Sequence, residues 1–356
     1  MSISQLSLTN FRNLKSTTLD LHPAINLISG NNGSGKTSLL ESIQVLCEAC
    51  SFRTHQLKQC IAHDQSSFLL FGRFNGYKAG LSKSKNKLEI KIDGEAIKRR
   101  SSLVSRTPIK IVNVESFDLV SGSPEERRGF IDWCLFHVEH SYTEHWIHFK
   151  HALKQRNRLL KNRRDLNLLD YWNDYLIEPS LAIHRLRKSY TELIENQLLE
   201  QLPELLRGME ITLEYIQGWP SEMELKQCLE GAREKDIKAG YTNYGIHRDN
   251  LLIMVDGFPA TQVLSRGQLK RLCLALIVAN LKIVKHKTGK NIILLIDDLQ
   301  SELDPASQKT VYQQLINIGL QLFITNIEER VPDVLREKDF KMFHVEHGMI
   351  RAVKNQ

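Results

Sequence analysis

The stretch Gly30-Asn31-Asn32-Gly33-Ser34-Gly35-Lys36-Thr37 satisfies the spacing G-x-x-x-x-G-K-[ST] and constrains the fold more than any other part of the chain. The apolar run Ile25, Leu27, Ile28 ahead of it reads as a buried strand, and Ser38-Leu39-Leu40-Glu41-Ser42-Ile43 behind it reads as the first turns of a helix. Strand, glycine loop and helix together let successive backbone N–H groups curl around phosphate oxygens, helped by the positive end of the helix dipole. In that arrangement Gly30 through Ser38 surround the phosphates, Lys36 reaches the β- and γ-phosphates, and Thr37 offers its hydroxyl to Mg²⁺. A loop built only for a tight turn needs neither the lysine nor the hydroxyl. The sequence therefore predicts binding of ATP with Mg²⁺.

Composition sets few further limits. With 42% hydrophobic and 25% charged residues the chain is an ordinary globular one, long enough for two or three structural units. No apolar run approaches the ~20 residues of a membrane span, and Met1-Ser2-Ile3-Ser4-Gln5 does not open a secretion signal, so a cytoplasmic protein with no membrane partner is expected. The six cysteines are expected to pack in the core; Cys47-Glu48-Ala49-Cys50 has no second pair to complete a four-sulfur site. A net charge of +7 permits a polyanionic partner, and the position of the charge decides whether one is recognised.

Along the chain, Ser4–Leu8 and Ser16–Leu21 alternate as a hairpin feeding the phosphate-loop strand. Phe68–Phe74 and Leu88–Ile97 continue as an antiparallel layer, turning at Asp93-Gly94. Helical periodicity takes over from Pro124 and persists to about Leu206, with turn signals only at Pro179 and Pro203. Within it Lys150, Lys154, Arg158 and Lys161 form a stripe, and the segment Lys150 to Arg164 holds seven Lys or Arg and no Asp or Glu. Such a run is either a solvated face or a contact for a nucleic-acid backbone. His137, His140, His145, His148 and His151 fall nearby, read as surface or packing residues because no carboxylate or cysteine closes a metal site. The last third returns to α/β texture: Leu264-Ser265-Arg266-Gly267-Gln268 precedes a helix, and the buried strand Asn291–Ile296 ends in Asp297-Asp298. The fold class is thus α/β, with a nucleotide-binding head split in sequence by a helical arm.

A phosphate loop, then Leu-Ser-x-Gly-Gln, then an apolar strand ending Asp-Asp, then Ser301-Glu302-Leu303-Asp304, resembles the head of an ABC-type P-loop ATPase. The resemblance implies that Ser265, Gly267 and Gln268 of one subunit close over the nucleotide held by Lys36 of another, so an ATP-dependent homodimer is expected. It also implies that Asp297 assists Mg²⁺ with Thr37, and that Asp298 and Lys36 act on the γ-phosphate, Asp298 orienting or deprotonating the attacking water. Across nearly its whole length the chain is similar to the RecF family of bacterial recombination-repair proteins. The matching residues are Leu8–Asn13, Ser51-Phe52-Arg53, Ser123–Asp132, Gln155-Arg156-Asn157, Gly240-Tyr241-Thr242 and Gly245–Asp249 beside the head motifs. That resemblance implies slow ATP hydrolysis, binding to gapped DNA or single-strand/duplex junctions, and work with RecR and RecO in loading RecA. Arg266 replaces the first glycine of the usual signature, Ile246 stands where proline is expected, Asn326 lies where a switch histidine is sought, and Asp298 is shorter than the usual glutamate.

The domains expected are residues 1–121 as the first half of the head, 122–239 as the arm and 240–356 as the second half. Three other readings compete. A transporter ATPase subunit and an SMC-type chromosome-organising head share the four motifs, but the first needs no basic arm and the second needs a longer heptad insert. His247-Arg248-Asp249 invites a kinase reading, which lacks its Asp-Phe-Gly partner.

Overall fold

Strand Ile293–Ile296 is buried at every position, as a strand covered on both faces must be. In the computed structural model, which describes residues 2–200, 208–327 and 331–353, it runs parallel between Ile109–Val112 and Gln321–Asn326. Gln321–Asn326 pairs in turn with the phosphate-loop strand Ile25–Ser29, which pairs with Lys341–Glu346, again in parallel. Met349–Val353 closes that edge antiparallel. A second, wholly antiparallel sheet has the order Thr17–Asp20, Ile3–Thr9, Ser67–Phe74, Tyr77–Ser84, Leu88–Ile92, Glu95–Ala96. Asp93 and Gly94 take φ values of 51° and 90°, the left-handed pair that a two-residue hairpin turn needs.

Helix Lys36–Glu48 touches strands of both sheets. Leu40, Ile43 and Leu46 join Leu6, Phe68 and Leu70 of the antiparallel sheet and Ile293, Leu295 and Phe323 of the parallel one in one core. Cys47 is buried in that core, and burial raises the Cys50 thiol to about 12. Together these elements, Met1–Ser116 with Gly289–Gln356, form one compact unit.

The second unit, Phe117–Thr288, is built around helix Arg266–Thr288, whose residues Leu272 to Leu281 are all buried. It packs on Pro124–Val138 and on Leu169–Leu199, which itself lies against Tyr142–Asn162. Helix Leu169–Leu199 continues through Pro179, read from sequence as a turn signal; the ring is buried on the packed face instead. The expected continuation to Leu206, with Pro203, lies outside the described residues.

This unit also differs from an all-helical arm ending at residue 239. Ile211–Ile216 is a strand, and it pairs antiparallel with Asn250–Val255, which turns at Asp256-Gly257 onto Phe258–Pro259. Residues 240–288 therefore cluster with the helical unit rather than with Gly289–Gln356. The physical reason is that the apolar surface of Arg266–Thr288 is consumed by helices of this unit.

Buried ion pairs hold its helices in register. Arg156 is fully buried, donating to Asp236 at 2.7 Å, Asn173 at 2.7 Å and Thr242 at 2.8 Å, so this member of the cationic run is internal. Arg187 grips both oxygens of Asp132 at 2.8 and 2.9 Å and donates to Asp249 at 2.7 Å. Asp249 also accepts from the Tyr215 hydroxyl at 2.5 Å. With no exposure and these donors, Asp249 has no access to a substrate, which removes the kinase reading.

His247 packs its ring near Phe149 and sets Nε2 3.0 Å from the Thr242 carbonyl, which fits a neutral ring donating there. Burial lowers its pKa to about 4. From pH 6.5 down to 4 the unfolded chain holds a proton that the folded chain refuses, so folding stability falls across that window and levels below it. The expected loss is on the order of 3 kcal/mol. Urea denaturation at pH 7 and pH 4.5 should show it in the wild type and a shallower fall in His247→Gln.

Candidate nucleotide site

Three glycines of the phosphate loop adopt positive φ: Gly30 at 148°, Gly33 at 77° and Gly35 at 122°. At Gly30 a Cβ would lie 2.2 Å from the Val345 carbonyl oxygen, and at Gly35 it would lie 2.7 Å from the Leu14 side chain. The loop thus follows a path that only glycine permits. Gly348 N–H donates to Ser34 O at 2.9 Å, and the Ser38 hydroxyl donates to Asn13 Oδ1 at 2.9 Å. These braces come from opposite ends of the chain. The sequence contains Asn13 in a matching motif, but its contact with Ser38 needs the fold to be seen.

Lys36 curls back over the loop, donating to the carbonyls of Gly30 at 2.6 Å and Asn31 at 3.1 Å. Its partial burial lowers the ammonium pKa, while Asp298 and Asp297 pull it back up. At the end of strand Ile293–Ile296, Asp297 Oδ2 accepts from the Thr37 hydroxyl at 2.9 Å and Oδ1 from Thr325 at 2.8 Å. Thr325 in turn accepts the Asp298 N–H at 2.9 Å. One hydroxyl therefore bonds both carboxylate residues, and Asp298 takes a left-handed φ of 54°. Asn31, Asn32 and Gly33 are exposed at the mouth, whereas Ser34, Gly35, Lys36 and Ser38 are buried.

Asn32, Gly33, Gly35, Lys36, Thr37, Ser38, Asp297 and Asp298 line one cleft of about 960 Å³, which Arg12, Phe52, Arg53 and Asn113 extend. The Phe52-Arg53 wall is held by Glu41, a fully buried carboxylate on the phosphate-loop helix. Glu41 accepts from Arg12 at 2.6 and 2.9 Å, from Ser51 at 2.5 Å and from Arg53 at 3.3 Å. Burial opposes its charge, but these donors win and keep its carboxyl below the usual range. Nothing in the local sequence marks Glu41 for this task.

Ser265, Gly267 and Gln268 lie in the other unit, at the start of helix Arg266–Thr288. Ser265 N–H donates to Gln268 Oε1 at 2.9 Å and Gln268 N–H to Ser265 Oγ at 3.4 Å, a reciprocal helix cap. Gly267 is exposed, and a Cβ there would meet nothing within 4 Å. Asp304 caps helix Pro305–Ile318 by accepting from Ser307 N at 2.9 Å. Lys150, Lys154, Arg158 and Lys161 are all exposed on Tyr142–Asn162, and Lys150 lies over the Trp146 ring at 5.2 Å.

The RecF/RecN/SMC N terminal domain family matches residues 2–351. The DNA replication and repair protein RecF of Shewanella halifaxensis (strain HAW-EB4) is 39% identical over 359 residues, covering 99% of this chain and 98% of that protein. Its counterpart from Shewanella oneidensis MR-1 is 37% identical over 99% of this chain and all of that protein (100%). A solved structure of the recombination mediator protein RecF with ATP, in the RecFOR pathway, superposes with a TM-score of 0.88 at 25% identity, covering 99% of this chain and 98% of that one. An Smc head bound to the C-winged helix domain of ScpA shares the fold, with a TM-score of 0.62 at 15% identity over 99% of this chain and 97% of that one. The chain belongs to the RecF/RecN/SMC family and, within it, to the RecF proteins of DNA replication and repair; its fold is the ABC-type ATPase head.

The glycine environments separate two kinds of constraint. Gly30→Ala should lower folding stability by roughly 2–3 kcal/mol through clash and strained φ. Gly267→Ala should stay within about 0.5 kcal/mol of the wild type. Thermal melts of the two variants check this.

Proposed function

We propose that this RecF-family chain is an ATP-gated DNA-binding protein of recombinational repair and replication, with slow ATP hydrolysis as its release step. The observation that carries the reading is the hydrogen-bonded sequence Thr37–Asp297–Thr325–Asp298, which ties the phosphate loop to two strand-end carboxylates in one cleft. ATP fits there with its phosphates among the N–H groups of Gly30 to Ser38 and with the Lys36 ammonium turned from the loop carbonyls to the β- and γ-oxygens.

A hydroxyl and a carboxylate oxygen 2.9 Å apart are a donor set that suits Mg²⁺, which takes one or two protein oxygens and completes its shell from phosphates and water. Thr37 and Asp297 would hold it, and it would supply charge neutralisation of the β- and γ-phosphates. Asp298, turned by its left-handed backbone, orients the attacking water and accepts its proton. Its short side chain is consistent with slow turnover. Gly267 is exposed and unobstructed at a helix start, so Ser265, Gly267 and Gln268 of a second copy close over the γ-phosphate and ATP makes the homodimer. Within the joined dimer Lys150, Lys154, Arg158 and Lys161 neutralise DNA phosphates.

A solved relative that works in the RecFOR pathway supports RecR and RecO as partners, and the family resemblance of the sequence motifs adds gapped DNA or single-strand/duplex junctions as the substrate, RecA loading as the outcome and the cytoplasm as the setting. No helix among the described residues is long and apolar enough to cross a membrane.

The test combines mass in solution with DNA affinity against salt, with and without ATP. ATP should double the mass and tighten DNA binding, and Ser265→Arg should lose both while still binding nucleotide. Lys36→Arg should weaken nucleotide binding itself. An ATP-bound monomer indifferent to DNA would refute the proposal. Reversing charge at Lys154, Arg158 and Lys161 should cut the slope of log affinity against log salt by about 0.9 per lost phosphate contact on duplex; an unchanged slope would place the contact elsewhere.

A further inference from the structure

Helices Tyr142–Asn162 and Leu169–Leu199 carry an exposed aromatic ledge. Tyr171 and Tyr175, one turn apart, are 60% and 43% exposed, with ring centroids 6.3 Å apart and planes within 20° of parallel. Trp172 stands edge-on to Tyr171 at 5.1 Å. From the facing helix His151 packs on Trp172 at 5.4 Å and His148 on Tyr175 at 6.2 Å, so two of the histidines singled out in the sequence brace the ledge.

Its chemistry is set by what lies next to it. Lys154 and Arg158, exposed cations of the basic stripe, follow His151 at three and seven residues and continue the surface that His151 shares with the ledge. Two of the acids beside the tyrosines have cationic partners: Asp170 takes Arg233 at 2.8 Å and Asp174 takes Lys226 at 3.5 Å. Exposed, nearly parallel rings next to exposed cations suit a polyanion with accessible π-faces, which single-stranded DNA offers and a duplex, with its bases stacked inward, does not.

We propose that the Tyr171–Trp172–Tyr175 ledge is a base-stacking platform for single-stranded DNA whose phosphates run along Lys154 and Arg158. This rests on the DNA-binding reading above and adds strand selectivity to it. In a protein that works at gaps, the ledge takes the unpaired strand.

The experiment compares affinity for an oligothymidine of about 20 nucleotides and a blunt duplex of equal length, with ATP present, at about 0.15 M salt. Tyr171→Ala/Tyr175→Ala should weaken single-strand binding about 5-fold to more than 100-fold and leave duplex binding within about twofold. Tyr171→Phe/Tyr175→Phe keeps the π-faces and should keep the affinity, while Lys154→Glu/Arg158→Glu should weaken both DNAs. Unchanged single-strand binding in the alanine variant, or equal loss on both DNAs with an unchanged melting temperature, would overturn the ledge alone. A lower mass in solution with DNA binding intact would assign the rings to self-association and also overturn it. No binding of either DNA by the wild type would instead refute the function on which it rests.

Discussion

The buried carboxylate of Glu41 is the interaction on which the nucleotide cleft depends. It sits on the helix that the phosphate loop begins, yet its donors come from the turn at Arg12 and from Ser51 and Arg53 beyond the helix. The turn at Arg12, the helix and the segment just beyond it are thereby tied to one charge. Losing the two-pronged Arg12 contact would leave the buried charge to Ser51 and the half-exposed Arg53. The same cluster sets the wall formed by Phe52 and Arg53, so the shape of the cleft and the stability of the head share a cause.

The helical unit uses the same device twice more. Arg187 joins Asp132 to Asp249, tying two helices to the residue that precedes strand Asn250–Val255, and Arg156 joins helix Tyr142–Asn162 to Asp236 and Thr242. Several of the residues that carry the family resemblance, Asp132, Arg156, Asn157 and Asp249 among them, are members of these networks. Their motifs identify the family through the architecture of the arm, while the nucleotide chemistry lies in other motifs. The exposed cations Lys150, Lys154, Arg158 and Lys161 stand apart from this internal charge because every one of them faces solvent.

Local patterns made the phosphate loop, the paired hairpins and the strand before Asp297 legible, because each is fixed by spacing within a few residues. What depended on distant packing was not. The pentapeptide Phe-His-Val-Glu-His shows the limit: at Phe136 to His140 it ends helix Pro124–Val138, and at Phe343 to His347 it runs along strand Lys341–Glu346 into a turn. Its neighbours, not its own propensities, choose the conformation. Strand Ile211–Ile216 does alternate buried and exposed over its first half, a signal the surrounding helical texture obscured. Thr325, which bonds the Asp297 carboxylate and the Asp298 backbone N–H, has no spacing motif at all.

The strand order carries a consequence for synthesis on the ribosome. Ile25–Ser29 and Ile109–Val112 are separated in the parallel sheet by Gln321–Asn326 and Ile293–Ile296, which are translated only after the whole helical unit, and the phosphate loop is braced by Gly348. The helical unit is one continuous segment and can close while the head still waits for its central strands. A nascent chain therefore exposes the apolar edges of an unfinished sheet until nearly its whole length has emerged, and nucleotide capture is postponed until assembly is complete.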